Sequence, residues 1–166
     1  MVLGIDPGLR TTGYGVLAVQ GRELAFLASG EVCPQGQDLA VRLARIYSAL
    51  SEVIERHRPD AAAIEEVFVH RNMKTALKLG QARGAAVTAC ACAGLPVSEY
   101  TASEVKLSTV GSGRADKQQV QYMVRMLLKL RAPVGSDASD ALAAAICHAH
   151  LRRSRLLGGR GRARAR

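Results

Sequence analysis

The stretch VLGIDPGLRTTGYGVLAVQGRELAFLASGEVC, residues 2–33, decides the fold. It opens on a short apolar run that ends at Asp6, and Pro7-Gly8-Leu9-Arg10-Thr11-Thr12-Gly13 reads as a turn. Residues 14–20 alternate loosely about Val16 and Val19, Gly21-Arg22 interrupts them, and 23–33 is again strand-like. Two glycine-containing polar turns between three short strands predict an antiparallel meander. Downstream, Leu39, Leu43, Ile46, Tyr47, Leu50, Val53 and Ile54 recur at helical spacing, which predicts a helix over 38–57 that Pro59 ends. Ala61-Ala62-Ala63-Ile64 then leads into Glu65-Glu66-Val67-Phe68, a strand that closes on acids. Helices are expected over about 73–93, 102–109, 115–130 and from Asp137 to about Arg152, with a short strand after Pro96. This order predicts an α/β domain with a mixed sheet covered by helices on both faces.

With 166 residues, 48% of them hydrophobic, the chain suits one domain with a real core and is not disordered as a whole. No run approaches the ~18 apolar residues of a membrane span, and Met1 to Asp6 lacks the basic start of a signal peptide, so a cytoplasmic protein is expected. Four cysteines do not make a disulfide framework in a chain of this size. Cys90 and Cys92 point to different sides of a helix, which makes them poor joint metal ligands and suits small buried residues. The net charge is +9, but seven arginines and no acid fall from Leu151 onward, leaving +2 on residues 1–150. A body over 1–151 and a basic tail over 152–166 are therefore expected, with the Arg/Gly/Ala segment Gly158–Arg166 disordered and attracted to phosphates.

Acids are scarce, 14 in all, so their placement is informative. Asp6 ends the first strand, Glu65 and Glu66 end the fourth, and Asp137 and Asp140 lie at i and i+3 on the last helix, on one face. Taken singly, each has a plain explanation: a turn opener, a solvated strand end, a helix cap, a complement to the helix dipole. If strands one and four are neighbours, all four carboxylates meet at one sheet edge. Such a cluster repels itself unless cations neutralise it, and hard divalent ions with oxygen ligands suit it. Two Mg²⁺ ions about 4 Å apart in a carboxylate cluster are a device for in-line phosphodiester cleavage.

These residues resemble the RuvC family of Holliday-junction resolvases. The resemblance is carried by Leu3-Gly4-Ile5-Asp6-Pro7-Gly8, Thr12-Gly13-Tyr14-Gly15, Ile64-Glu65-Glu66-Val67-Phe68, Ala76-Leu77-Lys78-Leu79-Gly80-Gln81-Ala82-Arg83-Gly84, Glu104-Val105-Lys106, Lys117-Gln118-Gln119-Val120-Gln121 and Asp137-Ala138-Ser139-Asp140-Ala141-Leu142-Ala143, in order over about residues 2–150. It implies a ribonuclease-H-like fold with a five-stranded mixed sheet, a homodimer, and metal-dependent nicking of four-way DNA junctions. It further implies two Mg²⁺ per site, with Mn²⁺ as a substitute, and a branch-migration complex of the RuvA/RuvB type as partner. Carried over residue by residue, Asp6, Glu65, Asp137 and Asp140 would hold the metal. Glu65 is preferred to Glu66 as the acid directly after Ile64. Lys117 would act on the scissile phosphate, Lys106 and Arg114 would contact DNA, and Phe68 would stack on an unpaired base at the crossover. The small residues Ala76, Gly80, Gly84, Val87 and Ala91 fit packing on the sheet by spacing alone, and a contribution to the dimer by resemblance. The segment Gly4-Ile5-Asp6 with Gly8 is also similar to the phosphate loop of actin-like ATPases, which need two lobes that 166 residues do not supply. His148 and His150, near the last helix, read as polar surface.

Overall fold

The computed structural model describes residues 1–36, 38–66 and 73–162, with side chains as far as Arg152. Three strands come first: β1 (Val2–Asp6), β2 (Thr12–Gln20) and β3 (Glu23–Val32). They form the expected meander, both pairings antiparallel. Then follow α1 (Leu39–His57), β4 (Ala61–Glu65), α2 (Met73–Cys92), β5 (Val97–Tyr100), α3 (Ala102–Val110), α4 (Lys117–Leu127) and α5 (Ser136–Arg162). The sheet order is β3-β2-β1-β4-β5, with β4 parallel to β1 and β5 parallel to β4. This is the five-stranded mixed sheet of a ribonuclease-H-like fold.

Strand alternation sorts two cores. Leu3 and Ile5 of β1, with Ala62 and Ile64 of β4, face α1 and α2. Val2 of β1 and Ala63 of β4 face the opposite way, toward α5 and the smaller helices α3 and α4. The apolar runs VLGI and AAAI are therefore buried on both faces, as central parallel strands must be. Continuing the alternation, Asp6 and Glu65 fall on the α5 side, one step beyond the Ile5–Ile64 register pair.

Helix α5 lies directly on the sheet because both surfaces are stripped of bulk. Its contact face holds Ala138, Ala141, Ala144 and Ala145, all buried. Across from them, a Cβ on Gly4 would sit 1.8 Å from the Ala141 carbonyl oxygen, and one on Gly13 would sit 2.0 Å from that of Asp137. Only glycine permits this approach, and it fixes the height of α5 over β1 and β2.

Several details differ from expectation. The buried side of α2 is Ala82, Ala86, Ala89 and Cys90, so the stripe through Gly80, Gly84 and Ala91 is exposed and does not pack on the sheet. Of the four cysteines Cys90 and Cys147 are buried, while Cys92 and Cys33 are exposed. His148 is buried, its Nδ1 2.9 Å from the Tyr100 hydroxyl, and His150 meets the Ser108 carbonyl at 3.0 Å; neither is bare polar surface. Helix α4 is shorter than expected at both ends. Its start is fixed by a capping box between Asp116 and Gln119, and Lys129 adopts a left-handed φ just past its end. Helix α5 begins at Ser136 and continues to Arg162, past the expected end near Arg152. Arginine and leucine are good helix formers over 152–157 and no proline follows, while the helix also runs through Gly158, Gly159 and Gly161, at the start of the segment expected to be disordered. Among the described residues no helix is long and apolar enough to cross a membrane.

Candidate active site

Three elements deliver carboxylates to one edge of the sheet. Asp6 comes from the last position of β1 and Glu65 from the last position of β4. Asp137 comes from the first turn of α5, and Asp140 lies just beyond it, three residues on. Asp6, Asp137 and Asp140 each offer a carboxylate oxygen, and these oxygens all lie within 4.8 Å of one another. All three side chains are half-buried. Glu65 flanks this triad closely enough for its charge to act on Asp6 and for that of Asp140 to act on it. Glu66 instead follows the end of β4, its backbone N–H donating to the Tyr100 carbonyl at 2.7 Å.

The electrostatics are those of crowded anions. Burial, then the charges of Asp140, Asp137 and Glu65, push the Asp6 carboxyl up to about 7, with Lys117 opposing. Burial and Asp140 raise Glu65, against the pull of Lys106 and Lys117. Asp140 is raised by burial, while its hydrogen bond to Lys117 works the other way. That bond is an ion pair of 2.7 Å between Lys117 Nζ and Asp140 Oδ2, and it holds the ammonium firmly protonated.

Lys117 reaches the site because the capping box starts α4 at this residue. The Gln119 N–H donates to Asp116 Oδ1 at 2.8 Å, and the Asp116 N–H donates to Gln119 Oε1 at 2.9 Å. One turn on, Gln121 Nε2 donates to Ser136 Oγ at 3.2 Å, tying α4 to the start of α5. Lys106 of α3 lies within electrostatic reach of Glu65 and Asp140. Arg114 is exposed on the loop before α4, where its backbone N–H donates to Ser112 Oγ. Among the described residues its charge is not one of those that act on Asp6, Glu65 or Asp140. Phe68 lies outside the described residues.

On the other side of Asp137 an open cleft of about 580 Å³ is walled by Arg10 and Thr11, Arg42 of α1, and Thr75 and Lys78 of α2. The β1–β2 turn that forms one wall is closed by Thr12, whose hydroxyl donates to the Gly8 carbonyl at 2.8 Å. Arg42 donates to the Leu9 carbonyl, while its buried Nε finds no acceptor among the described residues. Sequence spacing does not reveal this basic wall, because its members come from three separate elements. It also misses Glu31 of β3, which accepts from the backbone N–H groups of Asp137 and Ala138 at 3.1 and 3.4 Å.

The donor set fits hard divalent cations: it is all carboxylate oxygen, convergent within 4.8 Å, and short of positive charge even with Lys117 present.

A family model described as "Crossover junction endodeoxyribonuclease RuvC" matches residues 2–148. A protein of that description from Halorhodospira halophila is 57% identical over 152 residues, 91% of this chain and 90% of its own length. Another from Shewanella frigidimarina is 52% identical over 165 residues, 99% of this chain and 95% of its own. Among solved structures, Thermus thermophilus RuvC in complex with a Holliday junction substrate superposes with a TM-score of 0.87 at 40% identity, covering 92% of this chain and 94% of that one. The motifs that build the sheet edge and the carboxylate cluster thus fall inside one continuous match, and the chain belongs to the RuvC family.

Proposed function

We propose that the protein is a structure-selective endonuclease that resolves four-way (Holliday) DNA junctions by paired symmetric nicks in recombination and repair. The observation that carries the chemistry is the convergence of Asp6, Asp137 and Asp140 within 4.8 Å, with Glu65 alongside. Asp6, Glu65, Asp137 and Asp140 are the side chains to hold Mg²⁺, two ions per site, with Mn²⁺ as a substitute. Divalent cations bound there supply Lewis acidity, which makes water a competent nucleophile near neutral pH and stabilises charge on phosphoryl oxygens.

The protein's own groups do the rest. Asp6, whose carboxyl holds a proton up to about pH 7 in the bare cluster, gives it up when positive charge enters. Lys117, already aimed into the cluster, donates to a phosphoryl oxygen as negative charge develops on it. A bond forms between water oxygen and phosphorus, the bond to the 3′ oxygen breaks, and the products are a 5′-phosphate and a 3′-hydroxyl. Lys106 and Arg114 supply positive charge to the DNA on the α3–α4 side. Arg10, Arg42 and Lys78 do so in the cleft beyond Asp137. Phe68, outside the described residues, is assigned to stacking on an unpaired base at the crossover.

A junction has two-fold symmetry, and a C₂ homodimer presents two identical sites to two equivalent strands. We assign residues 1–151 to the nuclease body and 152–166 to a basic tail that adds sequence-independent affinity. A branch-migration complex of the RuvA/RuvB type is the expected partner, and the cytoplasm the expected location.

The test uses a four-way junction and a linear duplex of matched sequence, each with Mg²⁺. Paired, symmetrically placed nicks on the junction alone are expected. Asp140→Asn should abolish cutting and leave junction binding intact. Equal cutting of the duplex, or full-rate cutting by Asp140→Asn, contradicts the proposal.

A further inference from the structure

Helix α5 carries half of the carboxylate cluster within its first five residues, yet its own sequence provides no cap. The Ser139 N–H donates to the Gly135 carbonyl at 2.9 Å, which makes Gly135 the N-cap residue. Glycine has no side-chain acceptor, so the N–H groups that a serine or aspartate would normally satisfy at this position are left to another partner. That partner is Glu31, 106 residues away on the edge strand β3. Its Oε1 accepts from Asp137 N–H at 3.1 Å and from Ala138 N–H at 3.4 Å. A Cβ on Gly135 would lie 2.1 Å from Glu31 Oε1, so in this arrangement the carboxylate occupies the space beside the glycine. Gly135 is thus bare where the Glu31 carboxylate needs the space.

We propose that Glu31 is a positioning residue for the carboxylate cluster: by capping α5 from the neighbouring strand it sets the turn on which Asp137 and Asp140 converge with Asp6. This rests on the reading of those acids as cation ligands. Outer partners that orient metal ligands are worth about 10–100-fold in metal affinity. A cap that only held the helix together would change stability and leave cation affinity alone.

The experiment is a Mn²⁺ titration of the full chain without DNA, followed by the electron paramagnetic resonance signal of free Mn²⁺, with thermal unfolding measured in parallel. Glu31→Ala is expected to raise the half-saturating Mn²⁺ concentration by about tenfold. Glu31→Gln, which keeps an acceptor oxygen, should stay within about threefold of wild type. Gly135→Ser displaces the flexible end of Glu31 and caps the helix from within. In that background Glu31→Ala should cost less than about threefold, because the two caps substitute for each other. An unchanged titration for Glu31→Ala, or the same loss in both backgrounds, overturns the role of Glu31. A wild-type protein that binds no Mn²⁺ overturns the cation reading itself, and with it this inference.

Discussion

Gly4→Ala places one methyl group where the fold has no room for it. The new Cβ would lie 1.8 Å from the Ala141 carbonyl oxygen, 2.8 Å from its carbon and 3.0 Å from the Ala145 Cβ. Opening the first gap to the 3.0 Å minimum that real Cβ contacts show requires about 1.2 Å of separation between β1 and α5. Neither side yields easily, since β1 is hydrogen-bonded to β2 on one edge and to β4 on the other, and the clashing oxygen belongs to a helix backbone. Overpacking of this kind costs about 1–3 kcal/mol, and the upper end is expected here because both partners are main chain. At ~2–4 °C per kcal/mol for a domain of this size, the melting temperature should fall by about 6–12 °C. Function should fall further than stability. Asp6 lies two residues beyond Gly4, and Asp140 directly precedes Ala141, so the same displacement pulls the cluster apart; a 1 Å misplacement can cost about 100-fold in rate. Thermal unfolding and single-turnover junction cleavage at a temperature where the variant is folded measure the two effects. Gly80→Ala, where an added Cβ meets nothing within 4 Å, serves as control and should change stability by less than about 1 kcal/mol. A Gly4→Ala protein that melts within 2 °C of wild type, taken as the ~2 °C resolution of the comparison, and cleaves at the wild-type rate refutes the close-approach argument.

Burial and neighbouring carboxylates raise Asp6 from 3.8 to about 7, so the cation-free folded protein keeps a proton there that the unfolded chain releases. Stability without cations therefore falls as pH rises from about 4 to 7, by at most about 4 kcal/mol, and Glu65 and Asp140 act in the same direction. Calorimetry in chelator should show a lower melting temperature at pH 8 than at pH 5, with Mg²⁺ restoring more at pH 8; the reverse order contradicts the burial of these acids. Lys117→Ala should reduce single-turnover cleavage by about 10²–10³-fold while Mn²⁺ affinity stays equal or improves, because a competing cation is removed. Cation affinity lost in step with the rate would assign Lys117 to holding the cluster instead. Arg10→Ala and Lys78→Ala should each reduce the slope of log affinity for junction DNA against log salt by about 1, and removal of 152–166 by more; unchanged slopes would take the cleft and the tail out of the DNA path.

The parts of the fold that follow from local pattern were legible in the sequence. Strand alternation between glycine-bearing turns gives the meander, and the apolar runs that end at Asp6 and Glu65 give two central strands whose last residues share an edge. Features set by distant partners were not. The rotation of α2 depends on which of two small-residue faces meets the sheet, and Ala82, Ala86 and Ala89 compete with Gly80 and Gly84 at the same helical spacing. Gly4 and Gly13 stand out as motif residues, but their physical reason is a helix that begins more than a hundred residues later. Asp137 looks like a helix cap after Ser136, yet it is the second residue of α5 and its own N–H is capped by Glu31, a contact no local pattern announces. The exposed and buried members of the Cys90–Cys92 pair likewise differ because the helix rotation, not the residue type, decides which one meets the core.

The central claim is that Asp6, Glu65, Asp137 and Asp140 form a pocket for divalent cations. Anomalous diffraction from a crystal of the protein soaked in Mn²⁺ tests it most directly. The account predicts anomalous peaks at the carboxylate cluster, with carboxylate oxygens at about 2.1 Å. Strong peaks elsewhere with none between Asp6, Asp137 and Asp140 would contradict it.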